Sequence, residues 1–316
     1  MNAVLAVVVP VFALILVGYT AGRLRLVSET GARGLAEFTF QVAIPVMLFR
    51  KMATAELPDV TPWALWAGYY GSAGIIWLTA TALTVLVLRR TAAESASIAM
   101  SATFGNVVMI GMPIAMNLYG EAASATVAVL VAAHSPLLWT VAAIHLALAR
   151  NDRDASWRSL LTGLVHELAR NTIILAILAG TLWRMTGLGL DPLADQIITL
   201  LGRAAIPCAL FSLGLSLLGF RIAGQVPTLT TILLVKIAVM PLVAWYVATH
   251  FMGLPPVAAG VVTIFAAMPT GANAYLFALR NGLAQHSASG SVALGTLVSA
   301  ASAGVVVYLL GSMPMP

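Results

Sequence analysis

The stretch Met268-Pro269-Thr270-Gly271-Ala272-Asn273-Ala274-Tyr275 lies inside an apolar run at 256–281. A second stretch, Met112-Pro113-Ile114-Ala115-Met116-Asn117-Leu118-Tyr119, begins in the apolar run at 95–118. Both read MPxxxNxY, and they are 156 residues apart. Proline removes a backbone hydrogen bond and clashes with the preceding turn, so each stretch predicts an interrupted helix.

A second pattern also occurs once in each half of the chain. Ala43–Phe49 and Ala205–Phe211 both read AIPxxLF and are 162 residues apart. Two matches in the same order and at similar offsets favour an internal duplication over chance similarity. We count five apolar spans in each copy, and an odd number of spans makes the two copies run in opposite directions across a membrane.

The composition excludes an ordinary soluble domain. Of the 316 residues, 60% are hydrophobic and only 9% are charged, whereas soluble domains carry about 25% charged residues. Helices of about 20 apolar residues satisfy their own backbone hydrogen bonds in lipid. We predict ten transmembrane spans, at 3–22, 34–52, 63–88, 95–118, 122–149, 168–187, 193–219, 227–252, 256–281 and 288–311.

The predicted organisation is an all-α integral membrane protein made of two inverted five-helix repeats. Repeat 1 covers 1–150, a cytoplasmic linker covers 151–167, and repeat 2 covers 168–316. Of the 16 Lys and Arg residues, eleven fall in the odd-numbered connections, which should therefore be cytoplasmic, with both termini outside. These basic residues are scattered rather than clustered, which argues against nucleic-acid binding. The single cysteine, Cys208, excludes an internal disulfide.

The interrupted spans are the candidate substrate site. A broken helix exposes N–H groups with partial positive charge at the start of its second half, and two such ends facing each other would suit a carboxylate. Side chains near the breaks could orient the anion, with Tyr275 either lining the site or anchoring the helix at the membrane interface. The candidate substrate-binding residues are Asn106, Pro113, Asn117, Pro269, Thr270, Gly271, Asn273 and Tyr275.

Two ionisable residues inside spans are candidates for charge coupling. Lys236 lies about 13 Å into the eighth span at 1.5 Å per residue, where a charge needs a cavity or a partner. It either attracts an anionic substrate or replaces a coupling cation, or it caps the carbonyls of a neighbouring broken helix. His134 in the fifth span either carries a proton or is a neutral, hydrogen-bonded histidine.

The sequence contains no motif for covalent or nucleotide chemistry. The chain has no GxSxG elbow, no HExxH pair, no Walker motif and no Rossmann glycine fingerprint. We therefore predict no enzyme activity, no bound metal and no cofactor. Uphill transport would have to use a gradient of H⁺ or Na⁺.

The interrupted spans and the AIPxxLF segments resemble the auxin efflux carrier family, most closely its bacterial branch of malonate transporters. The carrying residues are Asn106 seven residues before Pro113, and Met268 to Ala278 in the ninth span. The resemblance implies the fold of bile-acid and sodium/proton antiporter-like carriers, in which spans 4 and 9 cross as an X at their prolines. It further implies a scaffold of spans 1, 2, 6 and 7, often dimeric, and a mobile core of spans 3–5 and 8–10 that moves as an elevator. The chain lacks the long cytoplasmic loop of the plant hormone carriers.

The sequence thus predicts a secondary transporter of small organic anions, malonate-like carboxylates, in the bacterial inner membrane. The expected partners are the organic anion, the lipid bilayer and a second copy of the chain. Two alternatives stay open at this point: a carrier of aromatic or other monocarboxylates, and an anion channel.

Overall fold

The computed structural model describes residues 2–54, 61–150, 162, 165, 166, 168–221 and 225–311. The predicted cytoplasmic linker 151–167 lies outside these residues apart from 162, 165 and 166. The main helices of the described ranges are α1 (Asn2–Arg23), α2 (Glu29–Thr54), α3 (Pro62–Val87), α4 (Ala92–Thr103), α5 (107–119), α6 (Ser124–Arg150), α7 (Thr172–Met185), α8 (Pro192–Leu217), α9 (Val226–Phe251), α10 (Pro256–Ala267), α11 (Ala272–Asn281) and α12 (Gln285–Gly311).

Seven helical stretches in the described residues are long and apolar enough to cross a membrane. They are Ala6–Arg23, Glu29–Thr54, Pro62–Val87, Val107–Arg150, Pro192–Leu217, Val226–Phe251 and Gln285–Gly311. The 44-residue stretch contains both α5 and α6, which are separated by a 3₁₀ turn at Gly120–Ala123. Gly120 has φ +59 and ψ −139, a backbone conformation that residues with a Cβ atom rarely adopt. The all-helical, integral membrane class is confirmed.

The two halves of the chain contain helices of matching length in the same order. α2 and α8 have 26 residues each, and so do α3 and α9. The short helices α4 and α10 have 12 residues each, and the long helices α6 and α12 have 27 each. An internal duplication predicts this correspondence, because both copies must match the same membrane thickness.

Close helix crossings join the two halves at repeat-related positions. α1 packs on α8, and α2 packs on α7. A Cβ added to Gly18 would lie 2.1 Å from the carbonyl oxygen of Phe211, and one added to Gly180 would lie 2.4 Å from that of Phe49. Gly18 and Gly180 are 162 residues apart, as are the two phenylalanines. Small residues at such crossings let the helix backbones touch, which is how helices associate where water supplies no driving force.

Candidate functional site

Two interrupted helices meet in the middle of the fold. α4 ends at Thr103 and α5 begins at 107, whereas α10 ends at Ala267 and α11 begins at Ala272. The two breaks pair as an antiparallel bridge between Gly105 and Thr270. Backbone hydrogen bonds close this pairing, because Asn106 N donates to the Pro269 oxygen at 2.8 Å and Gly271 N donates to the Phe104 oxygen at 2.9 Å. The pairing satisfies backbone groups that hydrocarbon would leave without partners.

A Cβ atom would be crowded on both sides of this pairing. A Cβ on Gly105 would lie 3.2 Å from both the Lys236 Nζ and the Phe265 carbonyl oxygen. A Cβ on Gly271 would lie 2.9 Å from the Phe104 ring and 3.1 Å from the Gly105 carbonyl oxygen. The close approach of two backbones thus explains why glycine occupies both breaks.

The prediction that the first crossing lies at Pro113 is wrong. The break lies at 104–106, and Pro113 is a buried residue in the first turn of the α-helical part of α5. A π-helical turn at Val107–Gly111 precedes Pro113 and accommodates its missing N–H, with Gly111 N donating to the Asn106 oxygen at 3.2 Å. At the second break the prediction is correct, because Pro269 lies within the interruption.

Lys236 caps the two helix C-termini at the crossing. It is fully buried, and its Nζ donates to the Thr103 oxygen at 3.2 Å and to the Ala266 oxygen at 3.1 Å. Thr103 is the last residue of α4, and Ala266 is next to the last of α10. A cationic group stabilises carbonyls at a helix C-terminus, where the partial charge is negative. The structure shows the capping contacts, and a part for Lys236 in charge coupling stays a prediction.

The two helix N-termini at the crossing face a cavity of about 470 Å³. Among the described residues neither N-terminus has a side-chain cap, although Ala274 N in the first turn of α11 donates to the Gly271 oxygen at 3.0 Å. The cavity is lined by the crossing on one side and by α2, α8 and the start of α7 on the other. Its lining residues are Ala36, Phe40, Gln41, Phe104, Gly105, Asn106, Val107, Val108, Met109, His134, Ser135, Arg170, Asn171, Thr172, Ile173, Ser212, Ser216, Gly271, Ala272, Asn273 and Leu276.

Three of the predicted substrate-binding residues line this cavity: Asn106, Gly271 and Asn273. Asn106 is 7% exposed as a residue, lines the cavity, and its side chain makes no hydrogen bond to any residue that the structure describes. The Asn273 amide contacts the Ser135 hydroxyl at 3.5 Å. Because the Asn106 amide is at the cavity and has no protein partner, Asn106 is the best candidate for direct contact with a ligand.

His134 of α6 contacts the first break and lines the cavity. Its Nε2 lies 3.1 Å from the Gly105 carbonyl oxygen, and its ring contacts the Phe104 ring at 4.5 Å between centroids. A carbonyl only accepts, so Nε2 carries the proton of that hydrogen bond. The Nδ1 atom is buried and has no partner among the described residues. His134 therefore supports the backbone of the first break.

The structure places the other predicted residues away from the cavity. Asn117 is exposed near the end of α5, about 16 Å from Asn106 at 1.5 Å per residue. Thr270 is fully buried and donates its hydroxyl to the Ser101 oxygen at 2.8 Å. Tyr275 packs edge-on against Phe220. Pro269 contributes its carbonyl to the pairing of the breaks, as described above.

The sequence interpretation missed the part of the lining that comes from outside the breaks. Gln41, Ser212 and Ser216 are isolated polar residues in apolar spans, and this was the available signal. The sequence indicates Arg170 only as one of the basic residues that set the orientation of the protein in the membrane. Among the described residues, no cluster of three His, Cys, Asp or Glu side chains could hold a metal ion.

An all-helical membrane fold with two paired helix breaks beside a cavity is typical of a membrane transport protein. A family profile described as "Membrane transport protein" matches residues 3–307, so the chain belongs to that family, and the resemblance to auxin efflux carriers is confirmed. The chain is 25% identical over 319 residues to a Rhizobium meliloti (strain 1021) protein named "Putative malonate transporter", covering 100% of this chain and 98% of the relative. A local match, 32% identical over 111 residues, joins 34% of this chain to 13% of the mouse (Mus musculus) "Lysosomal cholesterol signaling protein".

Proposed function

We propose that the chain is a secondary transporter of small organic anions and that malonate-like dicarboxylates are its substrates. One observation carries this proposal. The N-terminal ends of α5 and α11 line the cavity, while Lys236, which is not a lining residue, donates to the C-terminal carbonyls of Thr103 in α4 and Ala266 in α10. The uncapped helix ends at the cavity favour an anion, and the negative ends are offset by the lysine. The full-length similarity to a protein named as a malonate transporter supports the choice of substrate.

We infer an elevator-type movement for alternating access. α1, α2, α7 and α8 would form the static scaffold, and the remaining helices, including both breaks, would move with the substrate. The matched helix lengths and the repeat-related glycine contacts support two inverted repeats of five spans each. Such a repeat would allow the two halves to exchange conformations and open the site to each side in turn.

The placement of the protein in the membrane remains a proposal. The distribution of basic residues favours cytoplasmic odd-numbered connections, outside termini and the bacterial inner membrane. A homodimer through the scaffold helices and coupling to H⁺ or Na⁺ also remain predictions.

The test is uptake of radiolabelled malonate into proteoliposomes by wild type, Asn106→Ala and Asn273→Ala. Both variants should lose uptake, by about tenfold for Asn106→Ala, because each removes an amide from the cavity. Asn117→Ala is the matched control, since Asn117 stands in the same sequence motif as Asn273 but lies outside the cavity. Undiminished uptake in both cavity variants would refute the proposed site.

A carrier of aromatic monocarboxylates is the second candidate, because the Phe40 and Phe104 rings line the cavity. Competition separates the two candidates. Unlabelled succinate and malonate should inhibit malonate uptake more strongly than phenylacetate does, and the reverse order would favour the aromatic substrate. Saturation and counterflow of labelled malonate would distinguish either carrier from an anion channel.

A further inference from the structure

The charged side chains that line the cavity give it a net positive charge. Among the residues that the structure describes, Arg170 is the one lining residue with a permanently charged side chain, and no described Asp or Glu lines the cavity. The described ion pairs are Arg50 with Asp195, Lys51 with Glu121, and Arg90 with Glu94. Arg170 thus has no carboxylate partner among the described residues. A cavity with an unpaired guanidinium and no carboxylate favours a ligand that brings its own negative charge.

Arg170 is an exposed residue whose backbone is positioned by the start of α7. It directly precedes Asn171, whose side-chain oxygen accepts from Ile173 N at 3.0 Å and Ile174 N at 3.3 Å. This N-cap fixes where the helix begins, and so it fixes the backbone from which the Arg170 side chain extends. The neighbouring residue Thr172 donates to the Phe40 oxygen of α2 at 3.1 Å, which ties the same segment to the cavity wall.

The cavity therefore has anion-attracting groups of two independent kinds. The crossing supplies uncapped helix N-termini and the Asn106 amide, and the segment before α7 supplies the Arg170 guanidinium. A monocarboxylate can use only one of these groups. A dicarboxylate has a second carboxylate for the other group, and guanidinium binds a carboxylate through two parallel hydrogen bonds.

We propose that Arg170 binds the second carboxylate of the substrate and thereby selects dicarboxylates over monocarboxylates. This inference rests on the proposed function, in which the first carboxylate binds at the crossing. It assigns to Arg170 a specificity role that differs from a basic residue setting membrane orientation.

The test compares malonate with monomethyl malonate, which has nearly the same shape but a single negative charge. Binding of each ligand is measured by titration calorimetry on purified protein in detergent, at a pH where every free carboxyl group is ionised. The variants are Arg170→Gln, Asn106→Ala and the control Arg33→Gln. Arg33 is an exposed arginine of α2 that does not line the cavity, so its substitution makes the same change in net charge.

We expect Arg170→Gln to weaken malonate binding about tenfold while leaving monomethyl malonate within about twofold, since only malonate loses a charge-assisted hydrogen bond. Arg33→Gln should leave the ratio of the two affinities unchanged. Melting temperatures of the variants, measured in the same detergent, show whether each remains folded.

Four results would overturn the inference. Equal weakening of both ligands by Arg170→Gln would show a general electrostatic or structural effect, and so would an equal change in the ratio with Arg33→Gln. No change with Arg170→Gln, alongside weaker binding in Asn106→Ala, would remove this inference and leave the proposed function standing. Failure of wild type to bind either ligand would remove both.

Discussion

The two helix breaks have paired backbones but different side chains. At the first break, the Asn106 side chain faces the cavity without a partner in the described part of the protein. At the second break, the Thr270 side chain is fully buried and donates to the Ser101 oxygen of α4. Both breaks thus line the cavity, but the polar side chain within the first is free for a ligand, whereas that of Thr270 within the second joins the two halves. Lys236, which belongs to the second half, caps a helix from each half.

This difference shows that paired backbones do not require matching side chains. The backbone pairing satisfies the polar groups of both breaks and constrains both alike. The side chains beside it are free to differ once the pairing is made, so substitutions at the two breaks should have different effects on binding and stability.

The largest effect is expected at Lys236, which the two breaks share. Lys236→Met would leave the carbonyls of Thr103 and Ala266 buried without a donor, at about 1–3 kcal/mol for each. We expect a loss of about 3 kcal/mol in the free energy of unfolding, measured by reversible SDS denaturation in mixed micelles. Met240→Leu, which alters another contact of the Nζ atom, is the control and should cost less than about 1.5 kcal/mol. Equal stability of Lys236→Met and wild type would contradict the capping role.

The next effect concerns the helix crossings at Gly18 and Gly180, which are 162 residues apart. Gly18→Val and Gly180→Val should each destabilise the protein by about 2 kcal/mol, because both side chains would collide with a backbone carbonyl of the facing helix. Gly34→Ala is the control, since a Cβ at Gly34 meets nothing within 4 Å. It should be neutral or stabilising by up to about 1 kcal/mol. A large cost at only one of the two valine positions would argue against repeat-related crossings.

A smaller effect should separate the two breaks. Thr270→Val removes one buried hydrogen bond and keeps the side-chain shape, so we expect a loss of about 1 kcal/mol in stability and no change in malonate affinity. Asn106→Ala should weaken malonate binding and leave the free energy of unfolding unchanged. Stability is followed by SDS denaturation and affinity by calorimetry. Weaker malonate binding in Thr270→Val would indicate that Thr270 contacts the substrate, as the sequence predicts.

The smallest effect concerns how the helices leading to the breaks begin. α4 begins with a capping box of Thr91 and Glu94, and Arg90 donates to Glu94 at 2.5 Å, whereas α10 begins at Pro255 and Pro256 without a side-chain cap. The hydrogen bond from Arg90 lowers the pKa of the Glu94 carboxyl below its usual value. Stability from this group is therefore present above the unfolded-state pKa and is lost as the pH falls through the folded-state pKa.

Glu94→Gln should consequently cost about 0.5–1 kcal/mol at neutral pH, and the difference from wild type should shrink as the pH falls below the ordinary range of a glutamate. Unfolding in mixed micelles at several pH values measures this. A difference that stays constant with pH would show that the carboxylate charge plays no part.

The helical spans and the presence of two breaks were predictable, because hydropathy and proline patterns act locally. The start of α2 shows the limit of such patterns. The span predicted at 34–52 is observed as Glu29–Thr54, because the Ser28 side chain accepts from Gly31 N and starts the helix earlier. The register of the first break was not predictable. The MPxxxNxY stretches are 156 residues apart, but the structure pairs Gly105 with Thr270, which are 165 apart.

The physical reason is that Pro113 does not need a break. A π-helical turn absorbs its missing N–H, and the interruption forms where two glycines let the backbones approach. Motif matching therefore placed Asn117 in the site beside Asn273, although Asn117 lies on an exposed part of α5. Arg170 was invisible as a site residue because only the tertiary packing of α2, α7 and α8 brings it to the cavity.

The position of a bound anion tests the central claim most directly. A crystal structure with bromomalonate, recorded at the bromine absorption edge, would locate the ligand by anomalous scattering. The account predicts a bromine peak inside the cavity, with carboxylate oxygens within hydrogen-bond distance of the Asn106 amide and the first-turn N–H groups of α5 or α11. A peak beside Lys236 at the helix C-termini, or outside the cavity altogether, would contradict it.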